Sequence, residues 1–525
     1  MGAAEFPSQL KDLPVFMVGV KGSGMAALAE VLVRAGAQVS GSDTSEVFYT
    51  DAILERLRVP VHVGFDAQAL PTGVEVVIHS AAYDPETTPQ LSAARDRGIP
   101  TVTYTEALGA LSRGRLALGV SGVHGKTTTT AMIGALVKHL HLSGTVLVGS
   151  AAADFDGMST YSGGQDFFVA ETCEYRRHFL DFHPDIIIVT SVEPDHLDYY
   201  RDYKDILGAF VSYAQKLPDG GELIYCADDE GACEVARAAA NERPDLLRIP
   251  YGLAAEGPFG VTELTRLPGR TRFSLRGWDR PFALRVPGDH NAVNAAAALC
   301  AVSRLALHSG GMRGPTPAGA GAEAAAGAAG PAGAEAAAEA AAEAGRGPEA
   351  DALAPSLDHA EAAAALERFS GTRRRSEVIG EAAGVLFLDD YGHHPTAIKK
   401  TLAGLRSFYP DRRIVVDFMS HTYSRTAALL EEFGACFGHA DEVILHEIYA
   451  SARENYDGSI TGEDLAREVS RLHRHVRYIE KVAGAGGEIA EVLEPGDLFI
   501  TMGAGNNWTL SHELFHSFSR EPAET

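Results

Sequence analysis

Cysteine and positive charge are both scarce in this chain. Five cysteines occur in 525 residues, at 173, 226, 233, 300 and 436, and none forms a C-x-x-C pair. That scatter suggests neither a disulfide framework nor a zinc site, and a reducing, cytoplasmic setting is expected. Lysine and arginine number 45 against 70 acidic residues, a net charge of −25, which argues against nucleic acid as a partner. An anionic ligand therefore needs local clusters of Arg, Lys and backbone N–H groups. No apolar run reaches the roughly 18 residues of a membrane span. Residues 1–14 lack a basic stretch followed by an apolar one, so no signal peptide is expected either. What is present in quantity is ordinary globular material, 46% hydrophobic, in a chain long enough for about three domains.

One stretch organises the rest. Leu116 to Val120 reads as a buried strand and Ala131 to Leu140 as a helix; between them lies Ser121-Gly122-Val123-His124-Gly125-Lys126-Thr127-Thr128-Thr129-Thr130. Strand, Gly-rich turn, Gly-Lys-Thr and helix is the arrangement that cradles a nucleotide triphosphate, because backbone N–H groups and the helix N-terminus point at the phosphates. Gly122, Val123, His124, Gly125, Lys126, Thr127 and Thr128 are the ATP-binding candidates here. Lys126 is expected at the β/γ-phosphates and the Thr127 hydroxyl on Mg²⁺. The strict G-x-x-x-x-G-K-[ST] pattern is not met, since position 120 is Val.

Before this loop, Pro14 to Val20 reads as a strand, Met25 to Ala35 as a helix and Val39 to Asp43 as a second strand, a βαβ opening. The glycines fall at 19, 22 and 24, so the order is not the dinucleotide fingerprint. A phosphate-bearing ligand and simple tight packing both remain open there. After the loop, strands at Phe167 to Glu171 and Ile186 to Thr190 end in polar groups, with Glu174 and His196 close behind. Such strand ends are where an α/β sheet puts Mg²⁺ ligands, although acidic helix caps look the same in sequence. Asn291 and Asn294 stand three apart on an expected helix running to Leu307, where two amides suit an adenine edge or a cap. Residues 309–355 are rich in Ala, Gly, Glu and Pro, carry no aromatic residue, and read as a disordered insertion. Beyond them, Arg373-Arg374-Arg375 forms a basic triplet. Strands ending near Asp389 to Pro395, His421 to Arg425 and Gly503 to Asn507 alternate with helices, so α/β structure continues to the end of the chain.

With these residues in view, the sequence resembles the Mur ligase family over nearly its whole length. Gly119 to Thr130 is similar to the family's own variant of the phosphate loop, which accounts for Val120. Gly22-Ser23-Gly24-Met25 and Gly41-Ser42-Asp43 resemble its sugar-nucleotide end. Glu171 to Leu180 resembles one branch of the family, and Asp389 to Pro395 and His421 to Arg425 its C-terminal motifs. Ser191 stands where the family usually has Asn, Ser376 where an aromatic is usual, and the 309–355 insertion is foreign to the pattern. The resemblance implies an α/β protein of three domains: a Rossmann-like N-terminal domain (1–115), a P-loop ATPase-like central domain (116–368) and a Rossmann-like C-terminal domain (369–525).

It also implies an ATP- and Mg²⁺-dependent ligase of peptidoglycan precursor synthesis, with UDP-N-acetylmuramate and L-alanine as substrates and an acyl phosphate between them. The implied catalytic residues are Lys126, Glu174, His196, Arg375 and His393. Thr127, Glu174 and His196 are implied as metal ligands, and Asn291, Asn294, Arg375 and Asp390 complete the ATP site. Gly22, Ser23, Gly24, Met25, Ser42, Asp43, Ser80, His421 and Arg425 are implied for the other substrates, with Arg425 gripping the alanine carboxylate. A monomer or homodimer is expected. The alternatives are a family ligase that adds a peptide to the same sugar nucleotide, and a non-enzymatic P-loop nucleotide switch.

Overall fold

The first sheet shows why its strands read as short apolar runs: all five are parallel, and helices cover both faces. Strands β1 (Pro14–Val18), β2 (Gln38–Asp43), β3 (Val61–Val63), β4 (Val76–His79) and β5 (Thr101–Thr103) lie in the order β3-β2-β1-β4-β5. The helices between and after them are α1 (Ser23–Arg34), α2 (Asp51–Arg56), α3 (Pro89–Asp96) and α4 (Tyr104–Ser112). The computed structural model describes residues 6–7, 9–196, 199–309, 357–450 and 458–520. Apart from Ser309, the insertion read at 309–355 lies outside the described residues.

The second sheet holds β6 (Leu116–Ser121), β7 (Gly144–Ala152), β8 (Met158–Ser162), β9 (Phe167–Glu171), β10 (Ile186–Val189), β11 (Glu222–Cys226) and β12 (Leu247–Tyr251). Their order is β12-β11-β10-β6-β9-β7-β8, parallel except for the β7–β8 pair. Helices α5 (Lys126–His139), α6 (Tyr203–Ala214) and α7 (Glu230–Glu242) connect it. A small antiparallel sheet of β13 (Val261–Leu267), β14 (Arg270–Leu275) and β15 (Phe282–Leu284) follows, then α8 (Asp289–His308) and α9 (His359–Arg368). The sequence reading passed over this small sheet. Val261–Leu267 mixes single apolar residues with polar ones along a largely exposed strand, a weak signal beside the solid runs of the parallel sheets. Helix α5 also starts five residues before the expected Ala131. Thr127 to Thr130 are β-branched and poor helix formers in isolation, but Thr127, Thr129 and Thr130 are buried and held by packing.

The third sheet of α/β type holds β16 (Glu377–Ala382), β17 (Val385–Asp390), β18 (Arg413–Met419), β19 (Glu442–Leu445), β20 (Val476–Tyr478) and β21 (Asp497–Gly503). Its order is β16-β17-β21-β18-β19-β20, with only the β16–β17 pair antiparallel. Helices α10 (Pro395–Phe408), α11 (Tyr423–Ala428), α12 (Leu430–Ala435), α13 (Gly462–Leu472), α14 (Gly486–Ala490) and α15 (Trp508–Arg520) complete it. No helix among the described residues is long and apolar enough to cross a membrane.

One hydrophobic core runs without interruption from Leu13 to Phe369, through the first sheet and the second. Helix α1 lies against β7 and β8, where the buried Glu30 accepts the Ser159 N–H (3.1 Å) and Thr160 donates to the Ala27 carbonyl. The third domain has cores of its own. It meets the rest around a cavity and where α10 packs on β13, the Gly269 N–H donating to the Phe408 carbonyl (3.1 Å).

Candidate active site

The cavity has a volume of about 1170 Å³ and gathers the carboxyl ends of strands from all three domains, as open α/β sheets direct. Its floor is the turn between β6 and α5. Gly122 (φ 130°) and Gly125 (φ 83°) sit in left-handed backbone, and a Cβ on Gly122 would lie 2.0 Å from the Thr190 hydroxyl, so the turn demands glycine there. Val123 N–H donates to the Ser191 carbonyl (3.0 Å) and His124 N–H to Ser191 Oγ (2.9 Å). These two amides are therefore spent on bracing the loop. The correction to the expected cradle is that the N–H groups left without an intrahelical partner are those of the first turn of α5, at Lys126, Thr127 and Thr128.

Lys126 Nζ donates to both oxygens of Glu174 (3.1 and 2.9 Å) and to the Gly122 carbonyl. Burial opposes the charge on each. Their mutual attraction wins, holding Lys126 above the ordinary lysine value, and with His196 it brings Glu174 down to about 2. His196 stands 3.6 Å from Glu174 on a left-handed backbone (φ 52°). Thr127 Oγ1 donates to Glu171 (3.2 Å), which also accepts the Gly149 N–H (2.8 Å); burial pushes the Glu171 carboxyl up. One wall thus offers two carboxylates, a hydroxyl and an imidazole within a few ångströms of the loop.

The third domain closes the cavity from the opposite side. Arg425 donates to Asp195 (2.8 Å) across the domain boundary, both side chains nearly buried; against the cost of burial, His196 first, then Arg425 and His393, hold the Asp195 carboxyl far below its usual range. His393 and His421 have ring centroids 5.9 Å apart beside it, and burial drives the His393 imidazole toward its neutral form. Arg375 lies over the Tyr391 ring at 5.4 Å. Arg374 lies over the same ring (5.1 Å) and also donates to Asp389 (2.9 Å) and the Gly503 carbonyl (2.8 Å). Asp390 accepts the N–H groups of Ser376 and Gly392 (2.7 Å each).

Comparison with known proteins decides the family. Residues 14–115 match the model for the catalytic domain of the Mur ligase family, 120–302 that of the Mur ligase middle domain, and 374–505 that of the Mur ligase glutamate ligase domain. The chain belongs to the Mur ligase family. The UDP-N-acetylmuramate–L-alanine ligase of Treponema pallidum (strain Nichols) is 48% identical over 99% of this chain and all of its own length. The protein of that name from Desulfitobacterium hafniense is 36% identical over 96% of this chain and 99% of its own. Among solved structures, the UDP-N-acetylmuramate-alanine ligase of Thermotoga maritima superimposes with a TM-score of 0.70 at 22% identity. It covers 96% of this chain and 99% of its own, and it establishes the likeness of fold.

Within this Mur ligase the cavity brings together most of the expected residues. Val123 to Thr128, Glu174, His196, Asn291, Asn294, Arg375, Asp390, His393, His421 and Arg425 all line it. Asn294 donates to Asn291 (3.1 Å), and its own oxygen lies 2.8 Å from where a Cβ on Gly125 would stand, which puts the two amides directly beside the phosphate loop. From the first domain only Ser23 of the expected set reaches the wall. Met25 and Ser42 are corrections: Met25 is in the core, and Ser42 is wholly buried with its hydroxyl on Gln90. Asp43 is turned inward, accepting the Lys21 and Thr44 N–H groups (2.7 and 2.8 Å). Gly22, Gly24 and Ser80 lie off the wall, with Gly24 against the Tyr104 ring. In their place the loop Glu46-Val47-Phe48-Tyr49 enters the cavity, and Tyr49 lies 5.5 Å under Arg373. Sequence reasoning also left out Glu171, Glu193, Asp195 and His290. The first three are acids at or just after strand ends, a visible signal, whereas His290 becomes notable only because burial lowers its pKa to about 4.

Proposed function

We infer that this Mur ligase joins L-alanine to the carboxylate of UDP-N-acetylmuramate, with ATP supplying the phosphoryl group of an acyl-phosphate intermediate, in cytoplasmic peptidoglycan precursor synthesis. The observation that carries the reading is the 48% identity, end to end, with the Treponema pallidum protein of that name. The geometry is consistent with it. Phosphoryl transfer asks for charge neutralisation and in-line positioning more than for covalent chemistry, and the cavity joins a phosphate loop to cationic side chains of another domain.

In this reading Lys126 neutralises charge on the β/γ-phosphates, while the first turn of α5 donates its N–H groups to them. Asn291 and Asn294 hold the adenosine end, and Asp390 the ribose. The donor set suits a hard divalent cation, being mostly oxygen: the Thr127 hydroxyl and the Glu174 carboxylate, with His196 as the one nitrogen. Thr127, Glu174 and His196 would hold Mg²⁺, which when bound supplies further positive charge at the transferring phosphoryl group. Arg375 and His393 contact the phosphoryl oxygens from the third domain. Arg425 offers a planar fork to the alanine carboxylate, and Asp195 keeps that fork oriented. Neutral His393 beside it is suited to accept the proton that the attacking amine loses.

Phosphate release with ATP, Mg²⁺ and UDP-N-acetylmuramate across a panel of amino acids and short peptides tests the assignment. L-alanine is expected to give the highest kcat/KM. Preference for a tripeptide would make the chain a peptide-adding ligase of the family, and nucleotide binding without ligation of any amine would make it a switch.

A further inference from the structure

A polar cluster at the back of the cavity takes no part in the mechanism above. It comprises His124 from the phosphate loop, Glu193 from the segment after β10, and His394, which opens α10 of the third domain. The potential ligand atoms of the three lie within 4.8 Å of one another. Two imidazoles and a carboxylate have the make-up of a divalent-metal site, but the hydrogen bonding speaks otherwise. His394 Nδ1 accepts the Thr396 N–H (3.3 Å) as the cap of α10, so the ring proton sits on Nε2, the nitrogen facing the cluster. A protonated Nε2 donates a hydrogen bond and does not ligate a metal. That Nε2 is buried and has no partner, in a side chain 6% exposed.

The carboxylate beside it, its oxygen within 4.8 Å though not hydrogen-bonded to it, is Glu193, which is already gripped from two domains. One oxygen contacts His124 Nε2 on the phosphate loop; the other accepts the Thr396 hydroxyl (3.2 Å) from the first turn of α10. The His124 and His394 rings stand 5.2 Å apart on either side. Burial opposes the Glu193 charge, and His124 first, then His394 and Thr396, hold the carboxyl below its ordinary value, so it is an anion among donors. Its segment is tied to the same loop, since Ser191 accepts the Val123 and His124 N–H groups.

We propose that Glu193 is a positioning residue that couples docking of the third domain, through Thr396 and His394, to the geometry of the phosphate loop, through His124. Docking supplies the donors that fix the carboxylate, and the fixed carboxylate holds the His124 ring and with it the loop. The proposal rests on the ligase reading for its kinetic consequence but not for its structural one.

The test uses the full chain and three variants: Thr396→Val, Thr396→Ser and Glu193→Gln. Thr396 is only partly buried, and valine keeps its shape, so folding should be retained and is checked by melting temperature. Thr396→Val is expected to lower kcat about tenfold, the loss of one hydrogen bond to a charged group. ADP affinity should change less than twofold, and Thr396→Ser should restore kcat. Glu193→Gln is expected to lower kcat and to weaken ADP binding as well, because it also loosens His124. Hydrogen exchange with a non-hydrolysable ATP analogue reads the coupling without turnover. In the wild type, nucleotide should protect both 122–128 and 391–398; in Thr396→Val, it should protect only the first segment. Wild-type kcat in Thr396→Val, equal losses of kcat and ADP affinity, or no rescue by serine would each overturn the coupling. If the wild type ligates nothing yet still shows the linked protection, the ligase reading fails and the coupling stands.

Discussion

The two domain junctions of this protein are built in opposite ways. The first and second domains share one apolar core, with α1 laid against β7 and β8 and the buried Glu30 satisfied on the spot. The second and third meet across the cavity, through Arg425 on Asp195, Thr396 on Glu193 and Ser150 on the Arg373 carbonyl. Apolar contact is non-directional and indifferent to ligands. Polar contact lining a cavity can be exchanged for contact with a substrate at small net cost. The first junction is therefore a fixed joint, and the second is the one suited to open and close around phosphates.

The comparison is sharpened first at the ligand side of the open junction. Lys126→Ala is expected to lower turnover on the order of 100-fold or more, since it removes a charge contact of the transition state. Near-normal phosphate release in this variant would sink the assignment of the cavity. At the fixed joint the effect should be on stability instead. Glu30→Ala leaves the Ser159 N–H unpaired in a dry interface, at about 1–3 kcal/mol, with Michaelis constants unchanged. Denaturant titration and kinetics on one preparation separate the two, and altered kinetics at full stability would break the contrast.

Arg425→Lys tests the exchange of polar partners directly. The Michaelis constant for alanine is expected to rise about tenfold, because a lysine cannot keep a bidentate grip, while those for ATP and the sugar nucleotide move little. A rise in the sugar-nucleotide constant instead would assign Arg425 to phosphates. One pH dependence should be readable in the third domain by itself. His446, wholly buried, has its pKa raised by Asp417 (2.7 Å) in spite of burial. This contribution is complete below the unfolded value near 6.5 and is lost as pH rises through the higher folded value. Stability followed by third-domain probes should therefore fall as pH rises above about 6.5, and His446→Gln should flatten that slope. The smallest effect is expected from deleting residues 310–350. Their composition offers nothing to bury, and a shorter loop changes closure entropy by only roughly 1 kcal/mol. A large fall in melting temperature would contradict this.

The sequence by itself determined the family, the alternation of strands and helices, and the floor of the active site. Those features are local: a glycine turn that must adopt left-handed backbone, a lysine one residue later, and apolar strands whose ends carry the chemistry. It also marked Glu174 and His196, which follow strand ends after the phosphate loop, and, through the resemblance to the family, Arg375, His393 and Arg425. All three adjacent arginines line the cavity, and only the tertiary structure shows that Arg374 is also held by Asp389. It likewise turned Ser42 and Met25 into the core and brought Tyr49 to the wall instead. The pairings of Arg425 with Asp195, 230 residues apart, and of Thr396 with Glu193, 203 apart, leave no mark in the sequence. Neighbours along a chain are set by local backbone preference, whereas partners across a domain boundary are set by how whole sheets pack, and that is written in no single stretch of residues.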